Sequence, residues 1–230
     1  DSIRSNGATT PLFQVNEVRH IPSISSFLNS KLSTKSSLRA GLRLYTHYVD
    51  IYDRALDVDE VHYFAKEFLF QPEAFIQLDY KPSRKLHFTL GLRGEYFSIN
   101  KNSYAIEPRF AMNWHAGASY TLSLAYGWHS RMAPMTVLYY LQQEDDMTWD
   151  RSNKELGFMR NHHLVLGHHF NLSNDFKISM EAYAHYLTNI PIETRSSSFS
   201  LINFGEYPIY PTLVGLESSG IAYNYGADWT

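Results

Sequence analysis

The stretch Phe110–Ser130, "FAMNWHAGASYTLSLAYGWHS", holds two runs in which apolar residues alternate with small or polar ones across a short turn. In the first run Phe110, Met112 and Trp114 fall on one face; in the second, Tyr120, Leu122, Leu124, Tyr126 and Trp128 do. Opposite them lie Arg109, Ala111, Asn113 and His115, then Thr121, Ser123, Ala125, Gly127 and His129. A period of two on both sides of a turn marks a β-hairpin with one apolar face. What that face meets, a second protein layer or lipid, decides the fold.

The same alternation recurs outward from this hairpin. In "LRAGLRLYTHY" the row Leu38, Ala40, Leu42, Leu44 opposes Arg39, Gly41, Arg43, Tyr45 and His47. In "LHFTLGLRGEY" Leu86, Phe88, Leu90, Leu92 and Tyr96 oppose His87, Thr89, Arg93 and Glu95. In "FKISMEAYAHY" Phe176, Ile178, Met180, Ala182, Ala184 and Tyr186 oppose Lys177, Ser179, Glu181, Tyr183 and His185. About nine strands follow from this pattern, near 23–31, 36–51, 67–80, 86–99, 105–115, 120–131, 160–171, 176–189 and 219–230. Residues 1–20 carry no such pattern and read as loop or irregular.

The joins sort by parity. Short turns rich in turn formers ("STKS" 33–36, "KPSRK" 81–85, "HAGAS" 115–119, "LSND" 172–175) alternate with longer joins near 54–66, 100–104, 132–159 and 190–218. Outer-membrane barrels sort their connections this way, with tight periplasmic turns on one rim and long loops on the other. Aromatic placement agrees. Tyr80, Trp114, Tyr120 and Phe176 sit near the short turns, Tyr48, Tyr96, Tyr126, Trp128 and Tyr186 near the far ends, with aliphatics between. Amphipathic rings settle at headgroup level, so two aromatic levels with an aliphatic band between them fit a membrane crossing. The strands are also about ten or more residues long, as a tilted crossing requires.

Composition removes other classes. The 230 residues carry a net charge of -3 with no run of Lys or Arg, which argues against a nucleic-acid partner. With no cysteine there is neither a disulfide framework nor a thiolate metal site. No apolar run approaches the roughly 18 residues of a membrane helix, a test that does not bear on membrane barrels. The first residues show no signal sequence and the last run stops without a turn, so the chain reads as a fragment with its leader removed or cut from something longer.

The residues also resemble a family, the β-barrel of TonB-dependent outer-membrane receptors. "IEPRFAMNW" is similar to that family's Glu-Pro-Arg strand start, here Glu107, Pro108 and Arg109. "LSLAYGWHSRMAP" is similar to the strand that follows it, and "LESSGIAYNYGADWT" to a late strand with an Asn-Tyr-Gly step. The hairpin "FNLSNDFKISMEAYAHYLTNIP" resembles the one before that strand, so the likeness covers about residues 20–230. The resemblance implies a large barrel of about 22 strands, of which about nine are here. It implies TonB-energised uptake of a siderophore, vitamin or glycan in the bacterial outer membrane, with membrane lipid, the TonB complex and a small nutrient as partners. TonB would be reached through a plug domain that this stretch does not include. Two alternatives stay open: a complete small outer-membrane barrel (adhesin, enzyme or pore) whose first and last strands pair, and a soluble β-sandwich that binds glycans.

Candidate chemistry is sparse. Of the 11 histidines, "NHHLVLGHHF" holds His162, His163, His168 and His169. Neighbours on a strand face opposite ways, so neither pair chelates as a unit. His163 and His169 share a face but need a ligand from another strand, such as His185; the simpler reading is polar lumen or interface histidines. Glu144, Asp145, Asp146 and Asp150 suit a cation in residue type, without EF-hand spacing, and read as a solvated loop. Arg39, Arg43, Arg93 and Glu95 project to the polar face, the lumen of a barrel. Mid-strand Gly41, Gly91, Gly127 and Gly167 read as sites of curvature, with close approach of a neighbour as the alternative. No catalytic motif is present. The expectation is therefore an all-β, antiparallel up-and-down transmembrane barrel segment, not an enzyme, with no cofactor or resident metal, whose ligand-contacting residues are not assignable.

Overall fold

The computed structural model describes residues 2–5, 8–11, 13–56, 60–117, 119–143, 149–173, 176–203 and 215–230. Ten strands form one large sheet: β1 (Phe13–His20), β2 (Ser23–Lys31), β3 (Ser36–Ala55), β4 (Glu60–Tyr80) and β5 (Leu86–Tyr96), then β6 (Tyr104–His115), β7 (Tyr120–Arg131), β8 (Met159–Asn171), β9 (Lys177–Glu193) and β10 (Leu216–Trp229). Outside the sheet, Ser2–Ser5 pairs with Ala8–Pro11, and Gln142–Gln143 with Trp149–Asp150. The loop after β7 also holds a helical turn, α1 (Met135–Leu138), and a 3₁₀ turn at Ser152–Glu155.

Every pairing is antiparallel and sequential from β3 to β10, an up-and-down meander. β1 and β2 both lie along β3, against 48–55 and 37–45 respectively. They are one stave interrupted at Ile21–Pro22, where proline has no N–H to give the ladder. The Pro22 carbonyl still accepts from Thr46 N across the break, at 3.0 Å. Phe13–His20, expected to be irregular, is strand: its residues face β3 where that strand runs beyond the expected end.

The four tight turns fall where turn formers cluster, at one end of the staves, and the alternation of short and long joins holds with one exception. The join expected near 54–66 is strand; β3 and β4 run 20 and 21 residues before and after a connection at 56–59. The physical reason is an inversion of face polarity. Up to Tyr45 and His47, β3 carries Leu38, Ala40, Leu42 and Leu44 on its outer face and Arg39 and Arg43 on its inner face. Beyond them the outer row becomes Tyr48, Asp50, Tyr52 and the inner row becomes Val49 and Ile51, each 1% exposed. On β4 the inner residues Ala65 and Leu69 are buried beside them, while Lys66 stands outside.

This inner apolar patch is the core of the molecule. Val49, Ile51, Ala65 and Leu69 pack with Val137, Leu138, Leu156 and Phe158 of the loop after β7, and with Ile190 and Leu216 of β9 and β10. The loop folds back over the sheet's inner face and supplies apolar cover there. The rest of the outer face has no cover among the described residues. Leu42, Phe68, Ile76, Leu90, Leu92, Ile106, Leu166, Met180, Ile221 and Tyr223 are all exposed. Monomeric soluble proteins rarely show contiguous apolar patches beyond a few hundred Å². The sheet is also open: among the described residues β10 pairs only with β9, and β1 and β2 only with β3. That overturns both the closed small barrel, whose end strands would pair, and the two-layer sandwich.

Candidate functional site

Ionic side chains converge on the inner face of β4, β5 and β6, because alternate residues of adjacent antiparallel strands share a face. Glu73, Glu95, Arg93 and Glu107 stand in register across the three strands. The Arg93 guanidinium donates to Glu73, to Glu95 at 2.8 Å and to Glu107 at 3.0 Å. Arg109 donates to the same Glu107 oxygen at 2.8 Å. Gln71 donates to Glu95 at 2.9 Å, and its own carbonyl oxygen lies 2.9 Å from His47 Nε2. Glu107 is 1% exposed and its second oxygen accepts the Ser130 backbone N–H at 2.7 Å. The β6–β7 ladder stops at Arg109–Gly127, so the carboxylate takes a strand donor left without a ladder partner. That is the local work of the Glu-Pro-Arg step.

Arg93 and Glu95, expected on the polar face, are thus joined in one network, and Glu73, Gln71 and Arg109 complete it. Glu73 and Gln71 carry no motif of their own, and only strand register reveals them; Arg109 belongs to the Glu-Pro-Arg step. Arg39 and Arg43 lie outside the network. Arg39 stacks between Phe27 and Phe75, 5.4 and 5.7 Å from their ring centres, and Arg43 lies over Tyr45. Both still border, with Glu73, Arg93 and Arg109, an inner-face cavity of about 250 Å³. Phe75 also explains Gly41: a Cβ there would lie 2.6 Å from its ring. Close approach, more than curvature, holds that glycine.

The histidines divide by parity as expected. His162 and His168 face outward and His163 and His169 inward. His163 stacks on His185 of β9 at 4.0 Å between ring centres, and His129 of β7 lies 6.4 Å from His163. His169 Nδ1 is 2.8 Å from Ser179 Oγ. Among the described residues no group of three His, Cys, Asp or Glu is placed to hold a metal ion. Asp150 accepts from Ser152 N at 2.7 Å and from Ser152 Oγ, just ahead of the 3₁₀ turn; Glu144, Asp145 and Asp146 lie outside the described residues.

The outer face carries a belt at its loop end. His162 stacks on Trp128 at 4.9 Å and on Tyr186 at 6.0 Å, with Tyr223 a further 5.0 Å beyond Tyr186. The Tyr126 hydroxyl lies 2.8 Å from His162 Nδ1. On β3 and β4, Tyr48 and Phe68 meet at 5.0 Å just where face polarity inverts. Nearer the turns, Tyr120 packs on His168 at 4.8 Å. Leu164 and Leu166 separate the two histidine levels on β8. The sequence pattern marks Tyr48, Tyr120, Tyr126, Trp128 and Tyr186; Tyr223 and the contribution of His162 and His168 come from register.

No family model matches the sequence, and no curated protein matches it. Solved structures do match in three dimensions. The siderophore receptor PirA from Pseudomonas aeruginosa superposes with a TM-score of 0.65 at 12% identity, over 92% of this chain and 39% of that one. The copper transporter OprC gives 0.64 at 12% identity, over 94% of this chain and 35% of its own. The RagAB peptide transporter gives 0.62 at 13% identity, over 94% and 28%. The chain therefore spans between about a quarter and two-fifths of the length of these structures. Its sheet is a run of barrel wall, and the chain has the fold of the β-barrel of TonB-dependent outer-membrane receptors.

Proposed function

We propose that this chain is part of the barrel of an outer-membrane receptor that takes up a scarce nutrient with TonB-coupled energy. The observation that carries the reading is the uncovered apolar outer face, bounded at both levels by aromatic rings, on a sheet whose inner face is polar. Lipid is the one environment that matches such a face along every stave. The inner ionic network of Glu73, Arg93, Glu95, Glu107 and Arg109 would then line the lumen, where charged groups hydrate, pair or hold a plug. The loops after β7 and β9 would stand on the outside and capture ligand before its passage. The fold shared with receptors and transporters supports the general role; the nutrient class, siderophore, vitamin or glycan, follows from the resemblance alone.

Fractionation and uptake test this together. In a Gram-negative host the protein should partition with the outer membrane and leave it only with detergent. Deleting the energising TonB complex should abolish accumulation of the nutrient while surface capture persists. Recovery in the aqueous fraction, or uptake indifferent to the complex, would contradict the proposal.

A further inference from the structure

We propose that the wedge between the β3–β4 hairpin and the loop after β7 is a binding site for a small organic carboxylate, held by Arg151 and by the hydroxyl of Tyr139. A cavity of about 210 Å³ opens there, between the hairpin and the segment that carries α1 and the 3₁₀ turn. Its walls have an apolar part and a charged part in which three cations outnumber one carboxylate, Glu67. Phe64, Leu138 and Leu141 form the apolar side, and the Tyr139 ring adjoins them. Lys66, Arg151 and Lys154 bring the positive charge.

Two of those cations are already engaged. Lys154 Nζ donates to Glu67 at 2.8 Å and sits 4.9 Å over the Tyr139 ring. Lys66 is paired with Asp50 at 3.1 Å. Arg151 is exposed and has no acidic partner among the described residues. Tyr139 is 4% exposed, and its buried hydroxyl has Glu67 as its near acceptor but does not reach the geometry of a full hydrogen bond to it. Buried polar groups are ordinarily matched, so an unmatched donor on a cavity wall points to an acceptor that a ligand would bring. Burial also pushes the ionisation of this hydroxyl far above its ordinary value, which keeps the proton available for donation.

Size and charge choose the ligand. An apolar cavity of about 150 Å³ accommodates a benzene ring, so this one has room for a ring or short chain bearing one acidic group. Arginine's planar fork suits a carboxylate or a phosphate equally. Glu67 on the same wall decides between them, because a doubly charged phosphate would meet a carboxylate there while a singly charged carboxylate meets less repulsion. The site rests on the receptor reading only in needing this end of the staves to face the medium.

Calorimetric titration of the detergent-solubilised protein with benzoate tests the proposal. Binding on the order of a millimolar is expected for so small a ligand. Arg151→Ala should weaken it about tenfold or more, and Tyr139→Phe by a smaller factor, in line with the loss of one charged and one neutral hydrogen bond. Arg84→Ala, on a turn at the opposite end of the staves, should change nothing. Inorganic phosphate should bind at least about tenfold more weakly than benzoate. Circular dichroism of each variant confirms that the strands persist. Absence of benzoate binding, indifference to Arg151→Ala, or equal binding of phosphate would overturn the site. Any of these in a protein whose outer face still meets lipid refutes the site alone and leaves the receptor reading standing.

Discussion

At the scale of single residues, Glu107 shows how a barrel wall tolerates a buried charge. It is paired with two arginines and one backbone N–H, so no lone pair facing the wall is wasted. Removing one partner of such a set leaves the others unmatched, which typically costs about 3 kcal/mol. Glu107→Ala should lower stability by that order in denaturant titrations of the folded protein in detergent, and Glu107→Gln by less, since it still offers Ser130 an acceptor. Glycines separate in the same way. A Cβ on Gly220 would lie 2.8 Å from the Ile190 carbonyl and 2.6 Å from Ile192, beside the bulge where Asn189 adopts φ 57°. A Cβ on Gly91 finds nothing nearer than 3.6 Å. Gly220→Ala should therefore destabilise by about 1–3 kcal/mol, and Gly91→Ala should be close to neutral, in the same titration. The Glu-Pro-Arg step was legible in the sequence as a motif. Glu73 and Gln71, which join it through Arg93 and Glu95, were not, because their roles come from cross-strand register, which one sequence does not display.

At the scale of elements, the hairpin of β3 and β4 is where sequence reading ended too soon. The outward row turns polar and the inward row apolar beyond Tyr48, so a search for one continuous apolar face loses the strand. On the membrane reading the inversion is physical: outside a lipid band the outer face would meet water, while the inner face meets the loop after β7. Asp50 and Lys66 pair on that outer surface, and the Lys66 ammonium holds the Asp50 carboxyl below its ordinary value of 3.8. A depressed carboxyl contributes stability above its ordinary value and loses it as pH falls through the value in the folded state. Amide protection along 48–55 and 60–68 should thus be steady near neutrality and decline in acid below about that ordinary value, and Asp50→Asn should flatten the decline. The loop itself is pinned by buried amides. Asn153 donates to the Val137 carbonyl at 3.0 Å and accepts from Leu216 N at 3.1 Å, which ties α1 to β10. Asn153→Ala leaves both backbone groups unmatched. Proteolysis within the described parts of 132–158 should then be faster, while cleavage at the turn ends stays unchanged; equal protection would show that apolar packing alone holds the loop. Nothing in the alternation of polar and apolar residues marked Asn153 or Asn100, because both act on backbone groups distant in sequence.

At the scale of the whole molecule, one sheet presents two unlike faces. Its inner face is ionic and imidazole-rich below and apolar above, where the loop covers it; its outer face is aliphatic between two aromatic levels. Nine of the ten strands, the parity of all the joins but one and the aromatic levels were legible beforehand because each depends on local pattern. Among the described residues β1, β2 and β10 leave open edges, and in a membrane such edges are tolerated only when paired with further strand. The central claim is that the outer face meets lipid, and the cysteine-free sequence makes it directly measurable. Single cysteines placed in turn along β8 from position 162 to 169, each carrying an environment-sensitive fluorophore, can be read in bilayers against a lipid-borne quencher and an aqueous one. Positions 164 and 166 should be quenched from the lipid and positions 163, 165 and 167 from water, in strict alternation. Quenching from water at every position, or no alternation between neighbours, would contradict the account.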